Sequence, residues 1–189
     1  MDVSMLHRRA VESWVSRLAA VSEDQWQNPT PCTDWNVREL VNHVVGEERW
    51  TVPLLQGRTI EDVGSDLDGD LLGDDPAAAG REAAEGAASV MDEKAPAGGK
   101  VALSYGQEDV AEYAYQLAAD HLVHGWDLAA ATGGDTDLDP ELVHEVATWF
   151  AEREEIYRSG GAIGPRATST GGAQADLLAS FGRDGDWAR

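Results

Sequence analysis

The side chains best placed to do chemistry in this chain are histidines and carboxylates. Asp120 and His124 are four residues apart in AADHLVHGWDL. On a helix this puts carboxylate and imidazole one above the other on a single face. By that spacing one helix can offer two ligands to a divalent metal ion. His43, in VNHVVGE, is the third candidate. It flanks the apolar positions Leu40 and Val44, so its ring can turn toward a helical core. One ligand from one helix and two from another leave a coordination position for water or substrate, as in catalytic zinc sites. His121 replaces Asp120 if the helix is rotated, and Glu47, four residues after His43, is a further candidate. The competing reading of Asp120 and His124 is an ordinary buried ion pair. His7 and His144 have no partner at ligand spacing in their own helices and read as structural or exposed. Cys32, the single cysteine, rules out an internal disulfide framework and reads as a small, semi-buried packing residue.

These residues need helices to hold them, and the periodicity supplies helices. A first helix is predicted over about residues 3–21, with Leu6, Ala10, Trp14, Val15 and Leu18 recurring at three- and four-residue steps. Pro29 and Pro31 interrupt the chain after it, in a segment whose two tryptophans pin the loop to the bundle. A second helix starts with Asn36 as N-cap and Glu39 in a capping box. It carries His43 and reaches Pro53, which marks a break or kink. The Gly- and Asp-rich stretch 57–75 reads as a long surface loop that lies over the site. Asp75-Pro76 opens a third helix, Ala-rich and weakly apolar, expected as a peripheral wall. VALSYG is short and extended, with no convincing strand pair. The fourth helix, from about residue 108 to 131 and closed by Gly133-Gly134, carries Asp120 and His124. Val110, Leu117, His124, Leu128 and Ala131 share its inward line, and Asp120 or His121 must point inward with them. A carboxylate in such a core is costly unless a cation meets it. A fifth helix opens at Asp139-Pro140 and runs to about Tyr157, and ADLLASFG adds a short amphipathic helix after a loop. The expected fold is all-α: one domain over residues 1–189, four main helices, short additional helices and a long surface loop.

Composition narrows the function classes. The 35 acidic and 14 basic residues give a formal charge of −21. Such a surface repels phosphate backbones and anionic lipid, which argues against nucleic-acid or membrane partners. No run of 18 apolar residues is present, and the N-terminal MDVSMLHRRAVESW reads as an amphipathic helix, not a signal peptide. The expectation is a cytoplasmic protein with a small-molecule substrate and, with its Trp-rich loop, a capacity to form a homodimer.

The blocks PTPCTDWNVRELVNHVVGEERW and DHLVHGWDLAAATG together resemble the mycothiol-dependent maleylpyruvate isomerase N-terminal-like proteins, within the DinB-like metal-binding four-helix bundles. The closing ADLLASFGRDGDW is similar to the end of their short, single-domain members. The resemblance implies a metal held by His43, Asp120 and His124, zinc foremost, with nickel compatible with two imidazoles and a carboxylate. It also implies that Trp126 packs in the bundle and that Asp127 supports the site. The family pattern includes Trp35 as well. Asp120 stands where the isomerases have the longer Glu, so the backbone must come closer or a water must intervene. The full isomerases carry a further C-terminal domain, and the end of this chain weighs against maleylpyruvate isomerisation itself.

The implied activity is that of a mycothiol-dependent S-transferase or isomerase-like enzyme, in which an open metal position activates mycothiol or a similar low-molecular-weight thiol. No protein nucleophile is required, which suits a chain without a Ser-His-Asp or Cys-His constellation. Two alternatives stand beside it. One is a metal-dependent hydrolase with Glu47 as general base. The other is a non-catalytic metal- or small-molecule-binding protein with a vestigial site.

Overall fold

The structure, a computed structural model, describes residues 1–188. In chain order its elements are α1 (Val3–Leu18), a 3₁₀ turn at Glu23–Gln25, α2 (Val37–Leu55), α3 (Ile60–Val63) and α4 (Pro76–Lys94). Strands β1 (Lys100–Leu103) and β2 (Gly106–Asp109) follow, then α5 (Val110–Thr132), α6 (Pro140–Ala151), α7 (Glu154–Ser159) and α8 (Ala173–Ser180). The architecture is all-α, as the periodicity predicts. Helices α1, α2, α4 and α5 form a ring: α1 lies along α5 and α2 along α4, with α1 also against α4 and α2 against α5.

Local chemistry sets the boundaries. Asn36 caps α2 by accepting from Glu39 N at 3.0 Å, and Glu39 returns the bond to Asn36 N at 2.8 Å. Asp75 and Asp139 cap α4 and α6, each followed by proline in the first turn. Gly133, at φ 72°, ends α5 in the left-handed conformation that a side chain would resist. The Trp26 and Trp35 loop is pinned as predicted. Both rings pack on the core, and Gln25 and Asn28 donate to the carbonyls of Thr132 and Ala131 at the open end of α5.

Packing sorts into three large apolar clusters and a small fourth, in which Val11 of α1 meets Ala84 and Ala88 of α4. Trp14 and Leu18 of α1 meet Val37, Leu40, Val41, Val44 and Val45 of α2 and Leu128 of α5 at one end. Met91, Tyr113 and Leu117 anchor the opposite end. Leu6, Leu122 and Trp126 pack with Leu142, Val146, Phe150, Leu177 and Leu178, so α6 and α8 are a second layer over α5. Trp126 is therefore a core residue, as expected. Each fully buried aliphatic or aromatic side chain stabilises the fold by about 1.5–3 kcal/mol.

Five expectations need correction. Helix α1 stops at Leu18, short of Val21. Helix α2 continues two residues past Pro53, because Gln56 and Arg58 still donate to the carbonyls of Val52 and Pro53. Helix α4 is a full member of the bundle: Ala83, Ala84, Ala87, Ala88 and Met91 bury a narrow face whose small side chains admit close approach. At Gly80 an added methyl group would collide with Leu18 Cδ2. The VALSYG segment does pair, as an antiparallel hairpin with Lys100 opposite Asp109 and Leu103 opposite Gly106. Four-residue strands, the second of them polar GQED, leave no alternation to detect. Finally, the fifth predicted helix divides into α6 and α7 at Glu152 and Arg153, where the Arg153 guanidinium turns back to Glu112. The 57–75 stretch is loop apart from the single turn α3, tied down by Asn42, which donates to Gly69 O and accepts from Leu71 N. No helix among the described residues is long and apolar enough to cross a membrane.

Candidate metal centre

The capping box of α2 starts a helix whose Val37, Leu40, Val41, Val44 and Val45 are buried, and this sets its rotation. His43 then sits at the edge of that face, looking across to α5. On α5 the buried line of Val110, Leu117, Leu128 and Ala131 orients the helix so that Asp120 and His124 look back. His124 Nε2 lies 3.3 Å from Asp120 Oδ1, and His43 Nε2 lies 3.6 Å from Asp120 Oδ2. One donor atom from each of the three residues falls within 4.8 Å of the other two. Asp120 thus reaches both imidazoles with its shorter arm.

Around these three the side chains are braced. Trp35 stacks on His43, with ring centroids 4.6 Å apart. His124 Nδ1 is 2.9 Å from Asp127 Oδ2, so its hydrogen goes to that carboxylate and Nε2 is left facing Asp120. Asp127 is fully buried and also accepts from Arg183 Nε and Nη2, at 3.0 and 2.8 Å. The support role expected of Asp127 is its observed geometry. Arg183, however, was not singled out by the sequence: it lies within the closing ADLLASFGRDGDW block, just past its helix and 56 residues from its partner.

The electrostatics follow from this packing. Burial opposes ionisation of Asp120, but His124 and then His43 outweigh it and hold the carboxyl well below the usual range. Burial likewise opposes a charged His124, yet Asp120 and Asp127 raise it to about 9. Asp120 Oδ2 is nevertheless a buried oxygen without a hydrogen-bond partner. An ion pair leaves that oxygen unsatisfied, whereas a cation between the three residues would use it. With one donor atom from each residue within 4.8 Å of the other two, the three side chains converge closely enough for a single ion to lie between them. The residues present fit a divalent ion.

The other candidates separate cleanly. His121 does not substitute for Asp120. It turns away from the cluster into the bundle interior, where Nδ1 donates to Leu117 O at 2.6 Å and Nε2 meets Glu48 Oε1 at 3.0 Å. Because Nδ1 already carries a hydrogen, the Glu48–His121 contact must hold one further shared proton, and burial pushes the Glu48 carboxyl up. Glu48 escaped sequence reasoning because it is one step off the Glu47 position that the spacing singled out. Glu47 lines the cavity next to Asp120 and stands outside the three-residue cluster. Burial, then Asp120, raises its carboxyl. His7 is fully buried, edge-on to His121, and His144 is exposed.

The three residues form the floor of a cavity of about 510 Å³. Its far wall is unexpected. None of residues 57–75 lines it, whereas Ala162, Ile163, Gly164, Phe181 and Arg183 from the C-terminal tail do. Cys32 lines it as well, with Sγ 3.6 Å from Arg183 Nη2. Burial raises its thiol, in keeping with a packing role.

Residues 7–129 match the model of the mycothiol maleylpyruvate isomerase N-terminal domain. The chain belongs to that family. Membership accords with the DinB-like bundle, and the matched span holds His43, Asp120, His124 and Asp127. Arg183 and the rest of the C-terminal wall fall outside it. Two uncharacterized proteins of Mycobacterium tuberculosis, from strains CDC 1551 and H37Rv, are each 34% identical over 149 residues, which is 77% of this chain and 75% of theirs. No solved structure matches significantly.

Proposed function

We propose that His43, Asp120 and His124 hold one divalent ion, zinc in the first place, and that the protein is a thiol S-transferase or isomerase-like enzyme using mycothiol or a similar small thiol. The observation that carries this reading is the three-donor set at the floor of an open cavity, with a buried Asp120 oxygen that lacks any hydrogen bond. Nickel suits the same donors. Three protein ligands facing open space favour a reactive site over a structural one, which would be closed by a fourth.

When bound, the ion supplies Lewis acidity that favours the thiolate form of a thiol at neutral pH. The chain's own residues do the rest. Trp35 holds the His43 ring in place, and Asp127 keeps the hydrogen of His124 on Nδ1 so that Nε2 stays a donor. Asp127 itself is kept ionised by His124 and Arg183 against its burial. Phe181 and Ile163 wall off the cavity from the tail side. Glu47 offers a carboxyl group beside the floor that can take up the proton released by a thiol. The same Glu47 is what favours the hydrolytic alternative, where it would accept a proton from water.

The test begins with metal content of the purified protein, beside a His43→Ala/His124→Ala variant. Near-stoichiometric zinc or nickel in the first and none in the second is expected. Cobalt-exchanged protein should then develop a thiolate-to-cobalt charge-transfer band on adding a small thiol. Metal without that band would leave a hydrolase or a binding protein. No metal in either protein, even after reconstitution, would make the cluster an ordinary buried ion pair.

A further inference from the structure

We infer that the groove beside the metal cavity, between the β1–β2 turn, α5 and α7, is a second lobe of the same binding site, and that it receives an aromatic or apolar co-substrate carrying no negative charge. The inference rests on the proposed function only for the chemistry that would follow binding. The groove, about 800 Å³, shares Gln116, Tyr157 and Ala162 with the 510 Å³ cavity, so one wall serves both. Tyr105 and Ile156, both on its lining, are 64% and 68% exposed, and among the described residues the other large hydrophobic exposed to this degree is Met5. Two such side chains facing each other's groove beside a candidate reaction centre form a contact surface for a ligand. Gln116 Nε2 donates to the Tyr105 hydroxyl at 2.6 Å, which sets the Tyr105 ring at the junction of the lobes.

The charges decide the class of ligand. A carboxylate-bearing substrate needs a free cation to receive it. Each lobe is lined by one guanidinium, and each is committed. Arg153 is bound in fork geometry to Glu112, Nε to Oε1 at 2.6 Å and Nη2 to Oε2 at 2.8 Å. Arg183 is bound in the same way to Asp127. Glu108 and Glu152 add carboxylates to the groove wall, and Asp34 and Glu47 add them to the cavity wall, with no lysine or free arginine on either lining. A carboxylate seated in the groove would meet net repulsion, since the guanidinium there is paired and Glu108 and Glu152 stand beside it. An uncharged or cationic ring would find aromatic faces and a favourable field.

The purified metal-bearing protein would be titrated with three rings of similar size that coordinate metals poorly: benzamide, benzyltrimethylammonium and benzenesulfonate. Amide chemical-shift changes would be followed, with dissociation constants from the same series. The expected result is binding of the first two, with shifts centred on Tyr105, Gln116 and Ile156, and at least tenfold weaker binding of benzenesulfonate at low salt. Glu108→Gln/Glu152→Gln should narrow that gap several-fold, and Ile156→Ser should weaken benzamide. Benzenesulfonate binding as well as benzamide, shifts clustered elsewhere, or indifference to Ile156→Ser would each overturn the inference. These probes need no thiol. Failure of the cobalt–thiolate band with intact probe binding therefore sinks the proposed function alone, and the reverse outcome sinks this inference alone.

Discussion

Asp120 and His124 are one helical turn apart, yet His124 also depends on Asp127, three residues on, which takes the hydrogen from its far nitrogen. The same helix therefore supplies the carboxylate that faces His124 Nε2 and the one that orients it, a division of labour common around metal-binding histidines. Beside His121, on α1, the logic is inverted. His7 is fully buried with neither ring nitrogen hydrogen-bonded to protein, and burial, helped by His121 and Arg8, lowers its pKa to about 3. Its unfolded value is the ordinary 6.5. The folded protein thus binds fewer protons there than the unfolded chain does between those limits. The stability of the neutral form is complete above pH 6.5 and is lost as pH falls toward 3. Between pH 7 and pH 5 this one residue should cost about 2 kcal/mol. Urea titrations at the two pH values should show His7→Leu losing less stability than the parent by about that amount. An identical loss in both proteins would rule His7 out as the acid-sensitive group.

At the scale of elements, the bundle brings the three candidate ligands together, and α8 with the tail around it completes the surroundings. Arg183, just past α8, reaches Asp127 on α5 and leaves the buried carboxylate paired on two sides. Removing Arg183 should destabilise the fold by about 3 kcal/mol, since a buried charge loses its partner. It should also act on the metal through Asp127. In a double-mutant cycle, Asp127→Asn is expected to weaken metal affinity by about 10–100-fold and Arg183→Met by roughly a few-fold to tenfold. The double variant should resemble Asp127→Asn alone, because both changes act on His124 through one carboxylate. Competition with a chromophoric chelator measures all three. Additive losses would mean that Arg183 acts by a separate route. Much of this level was legible beforehand. Caps at Asn36, Asp75 and Asp139 and the left-handed Gly133 are local signals, readable because a cap involves side chain and backbone within three or four residues. The hairpin and the split between α6 and α7 were not, because each depends on groups brought in from elsewhere, as when Glu112 draws Arg153 back.

Across the whole molecule the charge of −21 sets the background. Self-repulsion on this scale opposes the compact state, and added salt screens it. The basic residues are largely engaged already, for example Arg9 with Asp139 and Glu141, and Arg38 with Asp70, so screening removes more repulsion than attraction. The melting temperature should therefore rise between about 10 mM and 300 mM sodium chloride, where the Debye length shrinks from about 30 Å to less than 8 Å. A fall would indicate that the paired charges dominate. The amino-acid sequence by itself determined the helical class, most helix starts and the Asp120–His124 pair, because helix period and capping are short-range properties of the chain. His43 was legible as an edge position and, through the resemblance, as a candidate ligand. Only the tertiary structure decided that His43 faces Asp120, that His121 turns away to Glu48, that the tail rather than the 57–75 loop walls the cavity, and that both nearby guanidiniums are already taken. Each of these is a meeting of side chains distant in sequence. Their partners are chosen by how helices rotate and pack against one another, and no local pattern records that choice.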